Sequence, residues 1–177
     1  MKPSDVVEFW IEAGPRRWFS KNDRFDDKIS ERFGPLHHSA ARREVDDWAG
    51  EPGGALALLL LLDQFPRNMY RGSGHAFATD PLARHFARAA VAAGFDRAVD
   101  PALRIFFYLP FMHSEALADQ DISVTRGQPA SESDLRWAAL HRDIIVRFGR
   151  FPHRNAELGR RSTPEEAAFL SSGGFAG

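Results

Sequence analysis

Two short segments of the chain concentrate arginine and side-chain amides, and each contains a Phe-Pro pair. The first follows directly on a leucine run and carries Asp63, Gln64, Arg67, Asn68 and Arg71. Guanidinium groups bind carboxylates and phosphates through paired hydrogen bonds, so this composition favours a site for an anionic group. On a helix Asp63 and Arg67 are four residues apart and can pair, as can Gln64 and Asn68. The alternative is a buried structural network, because Asp and Arg are rarely buried unless they are paired.

The second segment, Gly149 to Arg160, repeats the pattern as GRFPHRNAELGR. Its polar residues fall around Gly149 and Pro152, outside a regular helix, where side chains held by a rigid loop suit binding. They are Arg150, His153, Arg154 and Asn155. For Asn155 the alternative is a cap on the next helix. We expect the two Phe-Pro segments to meet in a cleft that binds a small anionic ligand or an acidic group of a peptide.

A third set of residues offers proton transfer. His113, Glu115 and His141 are candidates for general acid–base catalysis, which would make the protein an enzyme of unassigned reaction. That hypothesis needs two of them within hydrogen-bond reach of one open space. His113 and Glu115 are two residues apart and so point to different faces of a helix, and no His-Glu-x-x-His pattern occurs. We therefore predict no metal site and no cofactor.

Composition excludes several other classes of function. The chain has 177 residues, a hydrophobic fraction of 44%, a net charge of -1 and no cysteine. Disulfide and thiol chemistry are thereby excluded, and no global field attracts nucleic acid or an anionic membrane. Asp5 and Glu8 interrupt the first apolar residues, which is atypical of a signal peptide, and the leucine run is too short to span a bilayer. We expect a cytoplasmic protein with no nucleic-acid or membrane partner.

The elements that position these residues are predicted to be helices separated by glycine and proline. Helix ends are expected at Gly14-Pro15 and Gly34-Pro35, with breaks at Pro66 and Pro110. Asp80 is expected to cap one helix, and Trp18 and Phe19 are expected to lie in a loop against the core. Residues 126–131 are expected to form a loop, and residues 171–177 are expected to fray. Thr163 to Glu166 has the pattern of a capping box, and residues 103–109 that of a buried central helix. The sum is one all-α domain over 1–177, built from helix hairpins.

Three blocks of sequence resemble a bacterial family catalogued as domain of unknown function 924. They are LLDQFPRNMYRG with AFATD, YLPFMHSE with DQ, and HRDIIVRFGRFPHRN with LGR and STPEE. The resemblance covers almost the whole chain. It implies an all-helical fold similar to the α–α superhelices of tetratricopeptide-repeat proteins. It implies no activity and supplies no catalytic residues.

That fold analogy adds a further hypothesis, a protein-interaction module in which the polar segments are only structural. Such a module would present an exposed groove. No feature of the sequence assigns an oligomeric state. Arg154 discriminates between the readings: if it is buried and paired, Arg154→Ala should cost roughly 3–5 kcal/mol, and little if it faces an open pocket.

Overall fold

The computed structural model describes residues 1–126 and 132–175, and all regular structure within those ranges is helical. The prediction of an all-α protein is confirmed. The loop expected at residues 126–131 lies, apart from Arg126, outside the described residues. The chain divides into two compact units, the first made of Met1–Arg71 and His75–Pro110 and the second of Gly72–Gly74 and Phe111–Gly177. A single domain over 1–177 and a tetratricopeptide-repeat-like arrangement stay predictions.

The α-helices alternate with short 3-10 turns and one π-helical turn. In chain order the α-helices are α1 Pro3–Ala13, α2 Pro15–Trp18, α3 Asp23–Ala41, α4 Pro52–Leu59, α5 Phe65–Met69, α6 Asp80–Ala92, α7 Ile105–Met112, α8 Leu117–Arg126, α9 Glu132–Phe148 and α10 Pro164–Ser171. The 3-10 turns span Asp46–Gly50, Gly74–Phe77, Phe95–Arg97, Pro101–Leu103 and Pro152–Arg154. The π-helical turn, Leu60–Gln64, joins α4 to α5. In the described ranges no helix is long and apolar enough to cross a membrane.

The core of the first unit is the apolar segment that α4 begins. Residues 55–62 are almost completely buried, because α4 is apolar on all sides and needs neighbours all round. Trp10 of α1 and Phe33 of α3 are fully buried, and residues 106–109 of α7 are at most 5% exposed. The expectation of a buried central helix at 103–109 is therefore confirmed for these four positions.

Prolines interrupt the helices less than the sequence suggests. α3 continues past Pro35 to Ala41, and α7 contains Pro110. The helical path also continues through Pro66 to Met69. The expected end at Gly34-Pro35 and the expected break at Pro110 are therefore wrong, whereas the α-helix before Pro66 does give way to a π-helical turn at Leu60–Gln64.

The π-helical turn shows how the chain accommodates Pro66. Proline has no N–H and its ring crowds the carbonyl four residues earlier, and the wider π turn relieves that crowding. Two carbonyl groups of the turn accept hydrogen bonds from side chains. His37 Nδ1 donates to Leu61 O over 2.8 Å, and Thr79 Oγ1 donates to Leu62 O over 2.6 Å. Side chains of two other segments thus complete the hydrogen bonding of this turn.

Trp18 is not in the expected loop, whereas Phe19 lies in a turn outside the helices. Trp18 ends α2 and is buried, with Nε1 donating to Trp10 O over 2.7 Å. Phe19 is 64% exposed although its ring stacks on Phe106 at 6.2 Å. The expectation that Phe19 lies against the core is thus wrong for most of its surface.

The second unit is built on α8, α9 and α10. Its apolar cluster consists of Ile144, Ile145 and Phe151, with Phe148, Phe169 and Phe175 packed against it. The expected capping box is confirmed: Thr163 Oγ1 accepts from Glu166 N over 3.2 Å, and Glu166 Oε2 accepts from Thr163 N over 2.7 Å.

The last described segment differs from the expected frayed end. Phe175 turns back onto the apolar cluster of the second unit. Residues 176–177 lie outside the described residues.

Candidate functional site

The polar residues of the first Phe-Pro segment bind one another and carboxylates of the first unit. Arg67 makes two 3.0 Å hydrogen bonds to Asp80, a 3.3 Å ion pair with Asp63 and a 2.6 Å hydrogen bond to Asp63 O. Burial acts to lower the pKa of Arg67, but Asp63 and Asp80 outweigh it and raise the value. Asp80, expected as a helix cap, is the first residue of α6 and serves instead as an anchor for Arg67. Gln64 donates its amide to Asp63.

A second carboxylate holds the rest of this segment. Asp26 of α3 accepts from Asn68 Nδ2 over 2.7 Å and from Arg71 Nε over 3.0 Å. Asn68 is buried, and the Arg71 side chain keeps 39% of its surface exposed. This geometry is that of the structural network named as the alternative. A ligand-binding role for these residues stays a prediction.

In the second unit Glu115 and Asn155 belong to a similar network. Glu115 accepts from Phe151 N over 2.8 Å and from both terminal nitrogens of Arg160 over 2.7 and 2.9 Å. Burial acts to raise the pKa of Glu115, but Arg160 and the Phe151 amide hold it below its ordinary value. Asn155 Oδ1 accepts from Arg160 Nε over 3.0 Å. Glu115 is therefore an ionised anchor, poorly suited to act as a general acid.

Arg150 is also paired. It binds Glu166 through Nε and Nη2 over 2.6 and 2.8 Å, and Asn155 Nδ2 donates to the same carboxylate over 3.2 Å. The bonds from Arg150 lower the pKa of Glu166 to about 2. Asn155 therefore does not cap α10, because Thr163 holds that position.

Three histidines of the second unit lie near Phe151. The rings of His113 and His141 are 6.5 Å apart, and the rings of His141 and His153 are each 5.5 Å from that of Phe151. Burial first, then the positive charge of Arg154, lowers the pKa of His153 to about 3. His153 is therefore neutral at physiological pH.

Arg154 lies over the same aromatic ring. Its guanidinium carbon is 4.5 Å from the centroid of Phe151, and Nη1 donates to His113 O over 3.0 Å. The second unit thus brings together seven residues predicted from separate segments: His113, Glu115, His141, Arg150, His153, Arg154 and Asn155. The two Phe-Pro segments belong to different units, so their meeting in one cleft stays a prediction.

An open cleft does exist within the first unit, between α3 and the end of α5. Its volume is about 610 Å³, and its lining residues are Ser30, Gly34, Pro35, His38, Ser39, Arg42, Met69 and Tyr70. His38 Nε2 lies 3.3 Å from Tyr70 Oη. Arg42 binds Glu44 through Nε and Nη2 over 2.7 and 2.9 Å, and both side chains are at least half exposed. These hydrogen bonds from Arg42, then one from Ser39, lower the pKa of Glu44 to about 2.

Sequence reasoning missed most of this cleft. An expected helix end at Gly34-Pro35 placed His38 and Arg42 on a different element from Ser30. The available signal was the spacing itself: Ser30, Gly34 and His38 are four apart and share one face once the helix is continued through Pro35. No group of three or more His, Asp or Glu side chains in the described ranges is arranged to hold a metal ion.

Comparison with known proteins gives a family and one structural relative. The model of a family described as bacterial proteins of unknown function (DUF924) matches residues 6–174. The structure of the protein of unknown function ATU0120 from Agrobacterium tumefaciens is similar over 96% of this chain and 97% of that chain, with 51% identity and a TM-score of 0.94. A search of curated proteins gives no match.

Proposed function

Because the chain belongs to the DUF924 family of bacterial proteins of unknown function, its role has to be argued from its own geometry, and we propose that it binds a small organic anion in the cleft of the first unit. The observation that carries the proposal is the state of Arg42. Arg67 and Arg150 are held by carboxylates that are almost fully buried, whereas Arg42 pairs with an exposed one at the edge of a cleft. Exposed ion pairs contribute little free energy, so a ligand anion can replace Glu44.

The remaining lining determines what kind of anion fits. Pro35, Met69 and the ring of Tyr70 offer apolar surface, and the His38–Tyr70 pair and Ser39 offer hydrogen bonds. A cleft of about 610 Å³ lies within the ordinary size range of small-molecule sites. These features favour a carboxylate or phosphate attached to an apolar body over a bare inorganic ion.

A thermal-shift screen against carboxylic metabolites, nucleotides and inorganic phosphate tests this proposal, since ligands of the native state raise Tm. We expect an organic anion to raise Tm, and Arg42→Ala to abolish the rise. Gly34→Leu should abolish it too, because a side chain at Gly34 would extend into open space without a clash. Glu44→Gln should increase the affinity several-fold, because it removes the competing charge.

Two controls match these variants. Arg142→Ala removes an exposed arginine that pairs with Asp121 outside the cleft lining. Gly53→Leu adds a side chain at another exposed glycine with open space around it. Both should bind as the unaltered protein does. A Tm rise that persists in Arg42→Ala and in Gly34→Leu would place the ligand elsewhere and end the proposal.

A further inference from the structure

The segment after α10 is shaped to return Phe175 to the second unit. Gly173 has φ +85°, a conformation that other residues adopt only with strain. A Cβ atom at Gly174 would lie 2.7 Å from two ring carbons of Phe169, so this position also requires glycine. Gly174 N donates to Phe169 O over 3.0 Å, which closes the turn. The two glycines thus fix the path that leads to Phe175.

Phe175 lies in a box of aromatic rings. Its centroid is 4.7 Å from that of His141, 5.1 Å from that of His153 and 5.9 Å from that of Trp137. The interplanar angle with His153 is 89°, an edge-to-face contact of the kind aromatic pairs prefer. Phe151 contacts both histidines from the apolar cluster, 5.5 Å from each. We call these four residues, Trp137, His141, Phe151 and His153, the ring box.

The ring box is more polar than its occupant. His141 Nδ1 donates to Trp137 O over 2.8 Å and is satisfied. His153 Nδ1 is buried and has no hydrogen-bond partner. A phenyl ring cannot supply one, so the box contains a polar atom that Phe175 leaves unused. Buried polar atoms are nearly always hydrogen-bonded, so a ligand that supplies a partner for this one would gain a hydrogen bond.

Phe175 is also positioned to leave. Its side chain is only half-buried, and it follows two glycines outside any helix. Segments with little buried apolar surface open at a small cost in free energy. A ligand that competes with Phe175 needs only to exceed that cost, and its apparent affinity is reduced by the fraction of molecules in which the box is closed.

We propose that the ring box is a binding site for a phenolic small molecule and that the Phe175 ring occupies this site when no ligand is bound. The aromatic ring of the ligand takes the place of the Phe175 ring between His141 and His153. Its hydroxyl group forms the hydrogen bond that His153 Nδ1 lacks, as donor or as acceptor according to the tautomer of the imidazole. The site is separate from the cleft of the first unit, so neither proposal depends on the other.

The test titrates the full chain with phenol and with benzene, its counterpart without the hydroxyl group. Phe175 labelled as 4-fluorophenylalanine reports docked and released states by ¹⁹F NMR. We expect phenol to displace the labelled ring to saturation. Benzene should bind with about tenfold lower affinity, because it leaves His153 Nδ1 unpaired. Phe175→Ala should bind phenol at least tenfold more tightly than the unaltered chain, and His153→Phe should remove the preference for phenol over benzene.

Phe19→Ala is the matched control, since it removes an exposed ring that belongs to the first unit. It should bind phenol as the unaltered chain does. The proposal is overturned if phenol does not displace the labelled ring and Phe175→Ala binds phenol and benzene equally. That result would show only that the substitution creates a cavity. Should Phe175→Ala fail to fold, the ¹⁹F titration of the full chain still decides.

Discussion

Arg154 combines burial with two interactions that depend on its charge. It is 6% exposed, it donates to His113 O, and its guanidinium lies over Phe151. A desolvated cation–π contact contributes about 2 kcal/mol, and a hydrogen bond from a charged group about 1.5–3 kcal/mol. The surroundings of Arg154 are those of a structural residue.

We therefore expect Arg154→Ala to lower the free energy of unfolding by about 3 kcal/mol. Arg147→Ala is the matched control. Arg147 also lies over a ring, 4.7 Å from the centroid of Phe148, but its side chain is 52% exposed and it pairs with an exposed Glu165. Its removal should cost less than about 1 kcal/mol. Urea unfolding measures both, and equal losses would show that burial is not what makes Arg154 important.

At the residue scale, the sequence predicts partners within one helix but not partners on other helices. The pairing of Asp63 with Arg67 follows from their spacing of four and is confirmed at 3.3 Å. The stronger partner of Arg67, Asp80, and the partner of Arg71, Asp26, lie on other helices. Helical spacing predicts only contacts within one helix. Whether an arginine is paired or open, which decides between a site and a network, therefore could not be predicted.

At the scale of elements, a helix start that depends on local hydrogen bonds was easier to predict than the effect of a proline inside a helix. The start of α10 follows from local hydrogen bonds among Thr163 to Glu166, so four residues contain the whole signal. Proline, by contrast, removes one helical bond, and the rest of the fold can compensate for that loss. At Pro66 the compensation comes from His37 and Thr79, which no local pattern connects to it.

Thr79→Val tests this compensation. It preserves the shape of the side chain but leaves Leu62 O without its hydroxyl donor, which should cost about 1–2 kcal/mol in urea unfolding. Thr125→Val is the control: Thr125 also binds a carbonyl, Asp121 O, but it is exposed, and the loss should stay below about 0.5 kcal/mol. Equal costs at Thr79 and Thr125 would contradict the role given to Thr79.

At the scale of the whole molecule, acid should destabilise the fold before carboxylates are protonated. Burial lowers the pKa of His37, against the raising effect of its bond to Leu61 O, and the pKa of His153 is about 3. Both imidazoles titrate near 6.5 when the chain is unfolded. Below that pH the unfolded chain binds more protons than the folded one, so stability falls as pH falls. Above pH 6.5 this effect is absent.

We expect the free energy of unfolding to decline from pH 6.5 to pH 5, well above the range in which Glu166 is protonated. The slope contributed by His153 should be below the 1.4 kcal/mol per pH unit of a whole proton, since the group keeps some contact with water. His153→Phe should flatten the decline, and His85→Gln, at an exposed position, should leave it unchanged. Urea midpoints at pH 8, 6.5, 5.5 and 5 measure this. A decline of equal slope in His153→Phe would contradict this contribution.

The π-helical turn also changes which residues of this segment share one face. Residues 52–69 follow one continuous helical path, but the turn at Leu60–Gln64 contains about one residue more than an α-helical turn. Every position after it is therefore rotated by about 100° relative to a wheel drawn at 3.6 residues per turn. A uniform wheel would therefore misplace Arg67 and Asn68 relative to the residues of α4. The azimuth at which they meet Asp80 and Asp26 is set by that single additional residue.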